Sequence, residues 1–216
     1  MISDNTKPPT EPDQQVKKFI LDLLNSNKFI DAKKEIYKQI TKYPNSSILY
    51  NILGGVLSGQ NQLDEAIVCY KKAVKINPNY AQAYNNLGTA LHKLKKVNEA
   101  VDCYKKALSL KTDFAEAFNN MGNAIRELGR LKESLQYFEK AIHIKSDYSQ
   151  AYNNLGVTLA DVGNKEAALE NLQKAIKIKP DYAEVYNSIG LVFNDLARFD
   201  EAISSYNKAI KLQPNY

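Results

Sequence analysis

AYNNLG at residues 83–88 returns as AFNNMG at 117–122, AYNNLG at 151–156 and VYNSIG at 185–190, always at the same interval. LYNILG at 49–54 precedes them in the same step. A second motif follows each: EAIVCYKKAV (65–74), EAVDCYKKAL (99–108), ESLQYFEKAI (133–142), AALENLQKAI (167–176) and EAISSYNKAI (201–210). Two coupled motifs at one fixed period are the signature of an array in which each unit is a single supersecondary element. Within a period the apolar residues fall at helical spacing twice. Ala83, Tyr84, Leu87, Ala90, Leu91 and Leu94 make one stripe, and Val97, Ala100, Val101, Tyr104, Ala107 and Leu108 make the next. The spacing predicts two short helices per unit. Gly inside a helix costs about 1 kcal/mol relative to Ala. Its return at Gly54, Gly88, Gly122, Gly156 and Gly190 therefore predicts a close helix–helix approach at each.

Counting back places a degenerate first unit at 13–46, anchored by Phe19, Phe29, Ala32, Ile36, Ile40 and Pro44. Units at 47–80, 81–114, 115–148, 149–182 and 183–216 complete the chain without insertion. Residues 1–12 carry three of the seven prolines, and we expect a disordered tail there. Asp113 with Glu116, Asp181 with Glu184, Asn79 with Gln82 and Asp147 with Gln150 have the spacing of capping boxes. Pro44, Pro78, Pro180 and Pro214 end the preceding helices, because proline cannot continue them. Tyr80, Phe114, Tyr148, Tyr182 and Tyr216 fall in the same turn and read as wedges between units.

The order of features, an aromatic, Leu-Gly, a central Ala, an aromatic, a second Ala and then Pro, resembles the tetratricopeptide repeat. In the last unit these are Tyr186, Ile189, Gly190, Ala202, Tyr206, Ala209 and Pro214; in the third, Thr112 replaces the proline. The resemblance runs from Asp13 to Tyr216. It implies an all-α, right-handed superhelical solenoid of stacked antiparallel helix pairs, with the first helix of each pair on the concave side. It also implies a protein–protein interaction scaffold that takes an extended peptide or a helix of a partner in the groove.

By the same resemblance the groove positions are the second, fifth, sixth, ninth, twelfth and thirteenth of each unit. The fifth reads Asn51, Asn85, Asn119, Asn153 and Asn187; the sixth reads Asn86, Asn120 and Asn154, flanked by Ile52 and Ser188. Asn123 stands at a ninth position. An asparagine amide offers two donors and an acceptor, which matches the N–H and C=O of an extended backbone. The sixth-position track resembles the asparagine ladder of O-linked N-acetylglucosamine transferases. Arrays of this texture also resemble the N-terminal parts of glycosyltransferases and of bacterial sulfotransferases. The alternative expectation is thus a substrate-recruiting segment of a larger enzyme. The two-carboxylate clamp of chaperone-binding repeats is disfavoured, since the second positions read Gln82, Glu116, Gln150 and Glu184.

Net charge is +5, but residues 13–114 carry +7 and residues 115–216 carry −1. Groove positions of the later units include Glu116, Glu127, Asp161, Glu184 and Asp195 against Arg126. We expect that part of the groove to prefer a basic or neutral peptide. The lysines of the second helices, such as Lys71, Lys105 and Lys174, read as a solvated outer face. Without basic groove residues for phosphate contacts, nucleic acid is not an expected partner.

Nothing in the sequence assembles chemistry. His92 and His143 fall in different units with no Ser or Cys at a suggestive spacing. Cys69 and Cys103, at equivalent places in neighbouring units, read as free thiols. No phosphate loop or metal-ligand spacing occurs, so the reading is a non-enzyme with no cofactor and no metal. No apolar run approaches a membrane span and MISDNTKPPTEP is no secretory signal, so we expect a cytoplasmic protein with no membrane contact. The final unit leaves Ile203, Tyr206 and Ile210 without a successor. We therefore expect either more chain beyond them or self-association through this end.

Overall fold

The computed structural model describes residues 10–215. Its described residues form twelve α-helices and no strand. They are α1 (Gln14–Asn25), α2 (Phe29–Lys42), α3 (Ser47–Gly59), α4 (Leu63–Ile76), α5 (Ala81–Lys93), α6 (Val97–Leu110), α7 (Ala115–Glu127), α8 (Leu131–Ile144), α9 (Ser149–Asp161), α10 (Lys165–Ile178), α11 (Ala183–Asp195) and α12 (Phe199–Leu212). From α3 onward, the odd-numbered helices start at equal intervals, at Ser47, Ala81, Ala115, Ser149 and Ala183. The chain divides after Leu110 into two compact units of six helices each.

In the first unit each helix packs on its chain neighbours, and α3 also touches α5. In the second, α7 to α12 do the same, with α9 touching both α7 and α11. Odd-numbered helices thus form one layer and even-numbered helices the other within each unit. The hairpins are held by the recurring glycines. A Cβ on Gly88 would lie 2.7 Å from the Tyr104 ring, and one on Gly122 would lie 2.5 Å from Phe138. Gly54 and Gly190 stand in the same way against Tyr70 and Tyr206, and Gly156 against Leu172. Only a residue without a side chain lets the second helix seat its large residue flat on the first.

Between hairpins the next odd-numbered helix closes the core. Val185, Ile189 and Val192 of α11 pack on Ala168, Leu172 and Ala175 of α10. On α1 the residues in the same register are Gln15, Phe19 and Asp22, all exposed. The first hairpin therefore presents a largely polar face where its successors present an apolar one.

The turn inside each hairpin is set by one left-handed residue: Asn27, Asn61, Lys95, Gly129, Gly163 and Ala197. The following N–H reaches back to a carbonyl of the last helical turn, as from Gln62 to Leu57 at 2.9 Å and from Arg198 to Phe193 at 2.9 Å. This is a Schellman closure, and it satisfies carbonyls that a helix end leaves open.

One expectation is corrected. The capping boxes do not form. The N-cap residues of α5, α7, α9 and α11 are Tyr80, Phe114, Tyr148 and Tyr182, none of which supplies a side-chain cap. The wedge aromatic occupies the cap position, so Asp113, Asp147 and Asp181 sit one residue too early. The cap carbonyl takes over part of the duty, as in Ala83 N–H to Tyr80 O at 3.1 Å and Val185 N–H to Tyr182 O at 3.1 Å. Residues 1–9 lie outside the described residues, but Pro12 is buried. Glu11 accepts from the Ser47 N–H at 2.9 Å and the Ser47 hydroxyl at 3.0 Å, and it also binds Ser46. A carboxylate at the start of α3 compensates unpaired N–H groups and the helix dipole. Composition gave no sign of it, because the contact joins chain segments far apart in sequence.

Candidate functional site

The odd-numbered helices carry the asparagine tracks, and the structure separates the two. Fifth-position Asn51, Asn85 and Asn119 are buried. Asn86 Nδ2 donates to Asn51 Oδ1 at 3.0 Å, and Asn154 Nδ2 donates to Asn119 Oδ1 at 2.9 Å. Each bond runs from the sixth position of one hairpin to the fifth position of the hairpin before it. Gln82 Nε2 adds a bond to Asn86 Oδ1 at 3.0 Å, and Asn51 Nδ2 donates to the Tyr80 hydroxyl at 3.3 Å. Much of the expected ladder therefore ties hairpin to hairpin. Asn85 and Asn120 are also engaged. Asn51, Asn85 and Asn119, expected on the groove wall, are buried. Asn51 and Asn119 each accept from an asparagine of the next odd-numbered helix, a contact that helical periodicity does not contain.

What remains open to a ligand is narrower. Asn123, Asn153, Asn154 and Asn187 are half-buried. In the second unit Asn119 Nδ2 and Asn153 Oδ1 are buried with no hydrogen-bond partner, an unmet polar demand worth about 1–3 kcal/mol per group. Glu116, Glu127, Asp161, Glu184 and Asp195 are exposed, and Glu127 is engaged by a neighbour. Arg126 Nη2 lies 3.1 Å from Asp161 Oδ2, so α7 and α9 are clipped together and Arg126 is neutralised. Lys165 Nζ donates to the Asp195 carbonyl at 2.8 Å.

Sequence reasoning missed the apolar part of this surface. Position nine, polar in Thr89 and Asn123, becomes Val157 and Leu191 in the last two hairpins. Leu191 is 53% exposed. The change of residue type along one position was the available signal.

The wedge aromatics sit where expected for the described members. Tyr80 packs beside Tyr50, Ala73 and Ala83, and Tyr182 beside Val185 and Ala175; Tyr216 lies outside the described residues. Burial pushes the Tyr148 phenol up to about 12, with Glu116 adding to it. Cys69 and Cys103 are free and half-buried. Burial, reinforced by Asp102, raises the Cys103 thiol to about 11, which makes it a poor nucleophile. Among the described residues no three of His, Cys, Asp and Glu gather to hold a metal ion, and no helix is long and apolar enough to cross a membrane.

Profiles of the tetratricopeptide repeat match residues 56–95, 81–114, 113–181 and 183–216. This chain is a tetratricopeptide-repeat protein. The profiles describe the repeat alone and point to no transferase. Among solved structures the repeat array is similar to MamA at 30% identity, over 75% of this chain and 95% of that one, with a TM-score of 0.65. It is similar to YrrB, described as a TPR protein with an unusual peptide-binding site, at 25% identity over 84% and 93%, with a TM-score of 0.64. PilF of Pseudomonas aeruginosa shares the fold at 19% identity over 94% and 92%, with a TM-score of 0.81. No curated protein sequence matches the chain significantly. The repeat family is one of protein-interaction scaffolds.

Proposed function

We propose that the array is a scaffold that holds an extended segment of a protein partner along the faces of α7, α9 and α11 in its second unit. The observation that carries this is the row of half-buried amides, Asn123, Asn153, Asn154 and Asn187, on α7, α9 and α11. A polypeptide backbone supplies the complementary N–H and C=O groups at spacings a row of amides can follow. The description of YrrB as a peptide binder supports the same reading by family.

Alanine at Asn86 and Asn154 would confuse recognition with packing, because both donate to buried asparagines. A cleaner test places a photo-cross-linking amino acid at Asn123 or Asn187, and at exposed Lys174 on α10 as control. Cross-linking to polypeptide from the first two positions and not from Lys174 supports the wall. Equal labelling, or labelling from Lys174 alone, contradicts it.

A further inference from the structure

In the second unit α9 and α11 enclose a shallow hollow floored by Val157, Ala160, Leu191 and Val192 and edged by Asp161 and Asp195. Leu191 is more than half exposed in it, although nothing in the helix pattern requires an apolar residue there. The hollow joins an apolar floor to a carboxylate rim, and each half of it recognises something different. The apolar floor gains by covering, and the carboxylates gain by a cation.

The charge is placed rather than accumulated. This half of the chain carries nearly balanced charge, yet the odd-helix wall carries Glu116, Glu127, Asp161, Glu184 and Asp195 against Arg126. The remaining cations, such as Lys140, Lys174 and Lys177, lie exposed on the even-numbered helices. In the first unit the corresponding positions hold no carboxylate and include Lys93. Arg126 is taken up by Asp161. Lys165 is the other cation near the rim, and it binds the Asp195 backbone carbonyl. The Asp195 carboxylate forms no ion pair among the described residues and stands at the edge of the hollow.

Resting on the scaffold reading above, we propose that this hollow selects partner segments in which one apolar side chain is flanked by Lys or Arg. The apolar side chain covers Leu191 and Val157, and the adjacent cation reaches Asp195. The partner is thus a basic, extended polypeptide segment, not an acidic one.

The test is selection of a random peptide display library on the full chain, followed by titration of the enriched peptide by fluorescence anisotropy at several salt concentrations. The comparison proteins are Leu191→Ala and Asp195→Asn, both at exposed positions, with circular dichroism confirming the fold. Enriched sequences should pair an apolar residue with Lys or Arg. Asp195→Asn should weaken binding about threefold to tenfold and flatten its salt dependence. Leu191→Ala should weaken it by about tenfold and leave the salt dependence unchanged. Enriched peptides that are acidic, or whose affinity neither substitution moves, overturn this selectivity and leave the scaffold reading intact. Failure to enrich any peptide overturns both.

Discussion

At the residue scale, the hairpins stand on atoms that are missing. Gly122→Ala gains about 1 kcal/mol of helix propensity, but its methyl group would meet the Phe138 ring, which is fully buried and cannot withdraw. Overpacking of this kind costs about 1–3 kcal/mol, so urea denaturation should show the variant destabilised; a midpoint above that of the parent would refute the close-approach account. The opposite change applies at Ala197, whose φ is +56°. A left-handed conformation costs an L-residue about 1–2 kcal/mol. Ala197→Gly should therefore stabilise by about 1 kcal/mol net of the entropy a glycine adds to the unfolded chain, and a fall in the melting temperature would count against it. The buried phenols give a pH dependence. Tyr70 and Tyr104 are pushed up to about 12 by burial. The folded chain then keeps protons that an unfolded tyrosine releases near pH 10. That contribution is complete below pH 10 and is lost as pH rises from 10 towards 12. Stability measured from pH 9 to 11.5 should fall, and less steeply in Tyr104→Phe. Identical slopes in the two proteins would remove the assignment.

At the element scale, the hairpin itself was legible. Period, stripe and glycine spacing are local, and α3, α5, α7, α9 and α11 each begin two residues before the motif. The ends of the helices were read less well. Asp113 and Glu116 have capping-box spacing, but a box is defined by which residue leaves the helix, and the ring of Phe114, buried in the turn, takes that position. Glu11 shows the same limit from the other side. Its carboxylate serves α3 from outside the repeat, so nothing in the repeat frame announced it. Glu11→Ala should expose the first turn of α3 and cost about 1–2 kcal/mol, by analogy with loss of a helix cap. Hydrogen exchange at Ser47 and Ile48 should quicken; unaltered exchange would show the contact to be dispensable.

At the scale of the whole molecule, the family and its all-α repeat fold were legible because one fixed translation is written into the chain many times over. The candidate surface was legible only in part. Asn51 and Asn119 share a helix face with residues that look outward, and they are buried where a neighbouring hairpin supplies a second wall. The acidic positions were read directly, since charge at an exposed helical position needs no partner to be seen. Leu191 was passed over as one apolar residue among many. The proposed binding mode lays a partner polypeptide along the odd-numbered helices of the second unit. Two-dimensional 1H–15N spectra of the full chain, recorded with and without the enriched peptide, test it most directly. The claim predicts shifts in the side-chain amides of Asn153 and Asn187 and in the backbone of Leu191, with the α10 face around Lys174 unmoved. Shifts concentrated on the even-numbered helices would contradict it.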